Sequence, residues 1–486
     1  MITGSGRALP PVVLCLLVLL FAALPTDVVR QAAVGGPVVA ITNVTVIDAT
    51  GAPEQPGMTV VLRGDRIAAL GASRQVPVPH EATVVDGAGK FVIPGLWDMH
   101  VHPYDESWLA LFVANGVTGI RVMKGTPDHH RWRQDVQDGK LPGPRMVIAS
   151  NLIDGPHPIW PGSVAVSNET EARQAVQQAQ QKGADFLKVY SLLPRAAYFA
   201  LADEAHRRNI VFAGHVPDAI TPTEASDAGQ RSIEHLTGIT VATSTREAGI
   251  SAELARTPRK PDPTHQRNTL ELQAAQSHSP ELAQSLFARF ARNGTWQVPT
   301  LTVLRSLSRV GDARYGQDER LRYIPPELAE SWQRFPRASR SPQELADQQT
   351  LFRHQLALVD AMNRAGVGLL AGTDTLNPFC FPGFSLHDEL ELLVEAGLTP
   401  MQALQSATRN PAQYLDELDK AGTITAGKRA DLVLLDADPL TDIRNTRRIN
   451  AVVAAGMLLP RNHLDAMLAG AETPGPAAGT GTAGRP

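Results

Sequence analysis

Cysteine is almost absent from this chain: two occur in 486 residues, Cys15 and Cys380. Cys15 lies in an N-terminal apolar segment, so a disulfide framework is excluded. Paired-cysteine metal sites are excluded too, and any metal must be held by His, Asp, Glu or a lysine-derived oxygen. Cys380, in NPFCFPG, has no base motif beside it, which argues against a cysteine nucleophile. An excess of one charge is also missing. The formal net charge is -4, which gives no reason to expect nucleic acid or an anionic membrane surface as partner. No internal repeat period is visible. What remains is an ordinary globular composition, 43% hydrophobic and 19% charged, long enough for one large domain and a small one.

Residues 1–30 read as a segment outside the fold. Arg7 is a minimal positive region, and Ala8 to Leu24 is almost wholly apolar. The run is slightly long for a secretory signal core and slightly short for a comfortable membrane span. Two readings stay open, a cleaved signal peptide and an uncleaved N-terminal anchor. No clean A-x-A site follows, and Val12-Val13-Leu14 before Cys15 is a poor lipoprotein box. Both readings put the body in an extracytoplasmic space, periplasmic or secreted, with membrane contact only through the anchor. Residues 471–486 are mostly Gly, Pro, Ala and Thr and are expected to be disordered.

Short β runs separated by turn residues fill 38–92. A matching block lies at Thr423–Leu440 and Asn450–Leu459, within a predicted second β part at 421–460. Together they predict one small β unit, a composite sandwich built from both chain ends. Between them, over 93–420, strand and helix patterns alternate. Strands are predicted at 96–101, 117–123, 145–150, 185–190, 210–215, 232–236, 295–303 and 367–373. Eight strands with interleaved helices match an α/β (β/α)₈ TIM barrel, with insertions at about 240–280 and 305–350.

The chemistry begins in PGLWDMHVH, Pro94 to His102. Residues two apart on a strand share a face, so His100 and His102 could grip one metal ion, and zinc favours such ligands. Downstream come Lys188 in DFLKVY, His215 in VFAGHV, His235 in SIEHLTG and Asp374 in LLAGTDT. All six fall at C-terminal strand ends, where barrels carry their catalytic groups. Scattered core histidines would have no reason to choose those positions.

These motifs, with the terminal AGTITAGKRADLVLLD, resemble the amidohydrolase superfamily. The branch resembled has a two-metal centre and a carboxylated lysine, as in imidazolonepropionase-like and metal-dependent prolidase-like enzymes. The resemblance spans about 38–460 and implies a barrel flanked by a composite β-sandwich. It implies two divalent ions, zinc expected. His100, His102 and Asp374 would hold the more buried ion, His215 and His235 the second, with Lys188 as a carbamate bridging both. A free lysine is cationic and cannot ligate, whereas the carbamate is an anionic two-oxygen bridge. The implied reaction is attack of a metal-bridging hydroxide on a carbonyl. Asp374 is the implied catalytic proton carrier from nucleophile to leaving amine.

Two departures bear on substrate recognition. Relatives often carry Asp after the second-strand Arg; here Arg121 is followed by Val122 in GIRVMKG. Where relatives often show a Gly-His-Gly turn, this chain has IDGPHPIWPGS, with His157 between prolines. Arg121 and Tyr190 are the candidates for gripping a substrate carboxylate or carbonyl, with His157 a third. For Arg121 a structural ion pair inside the barrel is the competing reading, for Tyr190 packing at the barrel mouth, and for His157 a solvated loop. His129 and His130 read as a solvated loop or helix start, and His206 as a helix C-terminal cation. Glu389 and Glu391 read as the exposed side of a helix, with His387 able to line the site.

The expected activity is hydrolysis of an amide in a small substrate, a dipeptide such as Xaa-Pro or an N-acyl amino acid. A cyclic amide or a lactone is the alternative, and a catalytically inactive binding scaffold is a third reading. Aminohydrolysis of a purine or pyrimidine fits less well, because such sites lack the strand-four lysine. A homo-oligomer is left open.

Overall fold

The computed structural model describes residues 36–257, 264–309, 312–334 and 341–473. The N-terminal apolar segment and most of the Gly/Pro/Ala/Thr tail lie outside the described residues, as do parts of both insertions. Among the described residues no helix is long and apolar enough to cross a membrane.

The strands run in chain order. First come β1 (Val38–Val46), β2 (Gln55–Arg63), β3 (Arg66–Ala72), β4 (Thr83–Asp86) and β5 (Phe91–Pro94). Next are β6 (Leu96–Val101), β7 (Val117–Val122), β8 (Arg145–Asp154), β9 (Val164–Ala165), β10 (Phe186–Val189), β11 (Val211–Gly214), β12 (Ser232–Glu234) and β13 (Trp296–Val298). Last are β14 (Leu432–Leu435), β15 (Ile449–Ala454) and β16 (Met457–Pro460).

From β6 to β13 the strands pair parallel, in the order β6-β7-β8-β10-β11-β12-β13, with β9 added to β8. This is a TIM-barrel sheet, and its closure differs from the sequence expectation. Residues 367–373 form no regular strand. This stretch and the residues just after it close the ring through single parallel bridges, Leu369 to Gln297 of β13 and Thr375 to Val101 of β6. Backbone bonds run both ways: Leu370 N donates to Gln297 O and Met99 N to Ala371 O, each at 2.9 Å. The segment carries Gly368 and Gly372, where a Cβ would overlap Trp296 and His100. Glycine without a side chain to pack weakens a regular ladder and permits this close approach. The predicted strand at 295–303 is also shorter. Pro299 has no N–H to extend the ladder, Thr300 turns left-handed at φ 49°, and a helix begins at Leu301.

Alternation sorts the side chains. Ile120, Ile148, Leu187, Phe212 and Ile233 face the helices in the main apolar cluster. Their neighbours Met123, Ala149, Phe186 and Ala213 form a separate inner cluster. Arg121, Lys188, Ser232 and Glu234 share the inner parity, which puts polar groups inside the barrel. On β6 the alternation breaks: Met99 packs with the inner set and Val101 with the outer, at a register irregularity between Asp98 and Val101. The helices follow their sequence pattern. Glu169–Gln181 buries Ala172, Ala175, Val176 and Ala179, one stripe at helical spacing, and Asn168 caps it by accepting from Glu171 N.

Both chain ends meet in one eight-stranded sheet, ordered β16-β15-β14-β5-β1-β2-β3 with β4 on β1. Hydrogen bonding is continuous through β14–β5, which joins the C-terminal strands to the N-terminal ones. Leu432 and Leu434 face the sheet's own core with Ile41, Leu62 and Val92. Val433 and Leu435 face the barrel cluster, so alternation along β14 docks the sheet on the barrel. Gly116, at φ 75°, sits where a Cβ would lie 3.0 Å from Val433.

Candidate metal centre

His100 and His102 leave the end of β6 with ring centroids 5.3 Å apart. His235, just past β12, lies 4.5 Å from the His100 ring and 4.9 Å from that of His215. Asp374 reaches in from the closing segment. Its Oδ1 is 3.3 Å from His100 Nε2 and 3.2 Å from His102 Nε2, and its Oδ2 is 3.7 Å from His235 Nδ1. His100, His102 and Asp374 form a group whose ligand atoms could all meet one ion. Lys188 on β10 is buried, within electrostatic reach of Glu234 and Asp374.

The backbone is shaped for this convergence. His235, Leu236, Thr300 and Asp374 all have positive φ, between 49° and 58°. Left-handed backbone costs non-glycine residues energy and clusters where side chains must be aimed. Gly214 precedes His215; a Cβ there would sit 2.2 Å from Val189 O and 3.1 Å from Lys188 Cδ. The lysine passes only because that position is bare.

Three of the four histidines are oriented from behind; His102 Nδ1 is buried with no hydrogen-bond partner. His100 Nδ1 lies 2.7 Å from Glu234 Oε2, so it carries the proton, and its Nε2 keeps a lone pair. That Nε2 is buried without a hydrogen-bond partner. His235 Nδ1 is 2.8 Å from Thr300 Oγ1, whose single proton goes to Pro299 O. Thr300 must therefore accept from His235, again freeing Nε2. His215 Nδ1 meets Ser191 Oγ at 2.8 Å. Metal-binding histidines are characteristically fixed this way. Burial drives the His100 pKa well below its usual value and that of His235 to about 4, so both rings are neutral, the form that ligates. Burial lowers Lys188 to about 8, which makes its neutral amine accessible. Burial alone would raise Asp374, but His235, His102 and Lys188 outweigh it and keep the carboxylate ionised. An orphaned buried imidazole nitrogen, neutral rings and an ionised carboxylate fit a divalent cation.

The chain matches the amidohydrolase family over residues 91–459. The chain belongs to that family. An ochratoxinase of Aspergillus niger is 23% identical over 457 residues, 81% of this chain and 80% of the relative. An adenine deaminase of Rubrobacter xylanophilus is 33% identical over 86 residues, 18% of this chain and only 14% of that protein. Among solved structures, a bottromycin amidohydrolase superposes with TM-score 0.72 at 26% identity, covering 88% of each chain. A Xaa-Pro dipeptidase with bound methionine in its active site gives TM-score 0.62 at 20% identity, over 87% of this chain and 100% of that one. This amidohydrolase is thus an enzyme of carbon–nitrogen bond hydrolysis with the family's barrel.

Several expected site residues are placed elsewhere. Arg121 follows the competing reading, an ion pair inside the barrel. It is fully buried, donating to Met99 O, Ser232, Tyr414 and both oxygens of Glu234. It holds the carboxylate that orients His100. Arg121→Met is accordingly expected to cost about 3–5 kcal/mol of stability by leaving Glu234 an unpaired buried charge. Chemical denaturation checks this; an unchanged midpoint would contradict the pairing role.

His157 is exposed on the loop after β8, and among the described residues no hydrogen bond or ring contact ties it to the cluster. Tyr190 does sit at the site, its ring 4.1 Å from that of His215 and its hydroxyl accepting from Trp160 Nε1 at 2.7 Å. Glu389 is not exposed: it is fully buried, and its carboxylate accepts from Leu301 N, Thr302 N and Thr302 Oγ1, capping the helix that starts there. Burial raises it to about 7. His387 bonds Thr446 and Asn115 O, in a cavity with Arg320 and Arg447. His129 starts a helix as expected but is buried, with Nε2 on Pro103 O.

Sequence reasoning missed Glu234, Asp98 and Asp154. Asp98 accepts from His100 N, Thr373 N and Thr373 Oγ1 and so locks β6 to the closing segment. Asp154 accepts from Leu192 N and Ile159 N, pinning two loops at the mouth. The available signal was a lone carboxylate inside an otherwise apolar strand.

Proposed function

We propose that this chain is a metal-dependent amidase for small substrates, an N-acyl amino acid or dipeptide, with two divalent ions, zinc expected. His100, His102 and Asp374 would hold one, His215 and His235 the other, with carboxylated Lys188 supplying an anionic oxygen ligand to them. The observation that carries the reading is the buried His100 Nε2, freed by Glu234 and facing Asp374 without a partner. Carboxylation of Lys188 joins the amine nitrogen to the carbon of carbon dioxide and releases a proton, so it needs the neutral amine that burial favours.

Bound divalent ions supply Lewis acidity and an activated water. The chain's own residues do the rest. Asp374, ionised and between three histidines, accepts the proton of the attacking water and returns it to the leaving nitrogen. Glu234 and Thr300 fix the imidazoles so that nothing reorganises during turnover. Tyr190 and Trp160 form an aromatic shelf beside His215 that suits an apolar or aromatic substrate group.

With Arg121 buried in the barrel, a cation near that shelf is Lys124, whose Nζ lies 3.3 Å from Pro161 O, and Lys124 would meet a substrate carboxylate. A matched pair tests this: an N-acyl amino acid and its C-terminal amide. The acid should be preferred, and Lys124→Met should raise KM for the acid about tenfold, or 1.4 kcal/mol, leaving the amide unchanged. Equal kcat/KM for acid and amide in the wild type would move the reading to a cyclic amide or lactone.

A further inference from the structure

A second histidine pair lies outside the centre already described. His278 occupies the turn between the helices Thr264–Gln276 and Pro280–Asn293, in the insertion that follows β12. His354 lies in the helix Pro342–Arg364, which follows β13. Their ring centroids are 5.0 Å apart, with planes at 73°. The principal centre repeats that geometry twice: His100–His102 at 5.3 Å and 67°, His215–His235 at 4.9 Å and 82°. The remote pair shares a second property with it. His278 Nδ1 and His354 Nε2 are buried and have no hydrogen-bond partner, as is true of His100 Nε2 and His102 Nδ1.

We propose that His278 and His354 form a separate metal site, binding one borderline divalent transition ion of the zinc, copper or nickel class and joining the insertion after β12 to the long helix after β13. Two imidazole nitrogens select those ions over magnesium or calcium, which want oxygen. Burial lowers the pKa of both rings, that of His354 to about 4, which keeps them in the neutral form that donates a lone pair. Glu281 lies close enough to His278 for their charges to interact, and its carboxylate, which accepts from Ser279 Oγ, is a candidate further donor. Remaining positions are left to water, so the site is weaker than the principal centre. Its role is to cross-link segments far apart in sequence, where closing a long loop contributes most to stability.

The test is ion counting on the full chain. Wild type, His278→Gln and His354→Gln are saturated with zinc and bicarbonate, freed of excess ion, and compared for metal content, Tm and turnover. Wild type should hold one more ion per chain than either variant. Its Tm should rise on zinc addition by several degrees more than theirs, because an ion that binds only the folded state stabilises it. Turnover should be the same in all three. Equal metal content in wild type and variants overturns the proposal. So does loss of an ion together with turnover, which would place the missing ion in the principal centre. Because His278→Gln and His354→Gln perturb different helices, misfolding of one leaves the comparison with the other intact.

Discussion

Lys188→Ala is expected to lower kcat/KM on the order of 1,000-fold, about 4 kcal/mol of transition-state free energy. The side chain is buried at the end of β10 with Gly214 held bare beside it, and no neighbouring residue can replace its reach. Without the carbamate, His215 and His235 are left as a two-nitrogen pair and should hold their ion more weakly. The ion near them should be lost before the one near His100, His102 and Asp374. Formate or acetate, small enough to enter the vacated space, should restore part of the activity. Metal content and kinetics measured on one preparation decide the matter. Full activity with full metal in Lys188→Ala would mean that the lysine is structural.

Asp374→Asn separates holding an ion from moving a proton. Asparagine keeps a carbonyl oxygen close to the imidazoles of His100 and His102, so some metal binding should survive. It cannot accept the proton of the attacking water, and kcat should fall about 10²–10⁴-fold, the usual weight of a general base. The left-handed backbone at this position, φ 54°, is one that Asn tolerates as well as Asp, so the fold should be unaffected. Metal and turnover lost together would assign Asp374 to ligation alone. Near-normal kcat would place the proton carrier elsewhere.

Much of this was legible in the chain because strand ends and turns are local. The six residues His100, His102, Lys188, His215, His235 and Asp374 each close a short apolar run, and a barrel brings such ends to one face. The structure gathers them there. The division of the β unit between both chain ends was legible for the same reason, since period-two runs announce themselves. What was not legible depended on pairing. For Arg121 the sequence left a substrate anchor and an ion pair inside the barrel side by side, and it is the ion pair that forms, with a partner, Glu234, that sequence could not name. Glu389 looked exposed because helical spacing cannot reveal that its neighbour is the bare start of another helix at Leu301. The closing segment read as a strand from its apolar residues, while its glycines let it approach β6 and β13 in single bridges. His157 was read either as a substrate contact or as a solvated loop histidine; it is exposed, and the loop carrying it turns Trp160 toward Tyr190.

The central claim is that one ring of side chains holds two ions across a modified lysine. The most direct test is anomalous diffraction at the zinc edge from crystals grown with zinc and bicarbonate. The account predicts two peaks inside the ring of His100, His102, His215, His235 and Asp374, with density for a carboxyl group on Lys188 Nζ between them. A single peak beside an unmodified Lys188, or none within the ring, would contradict it.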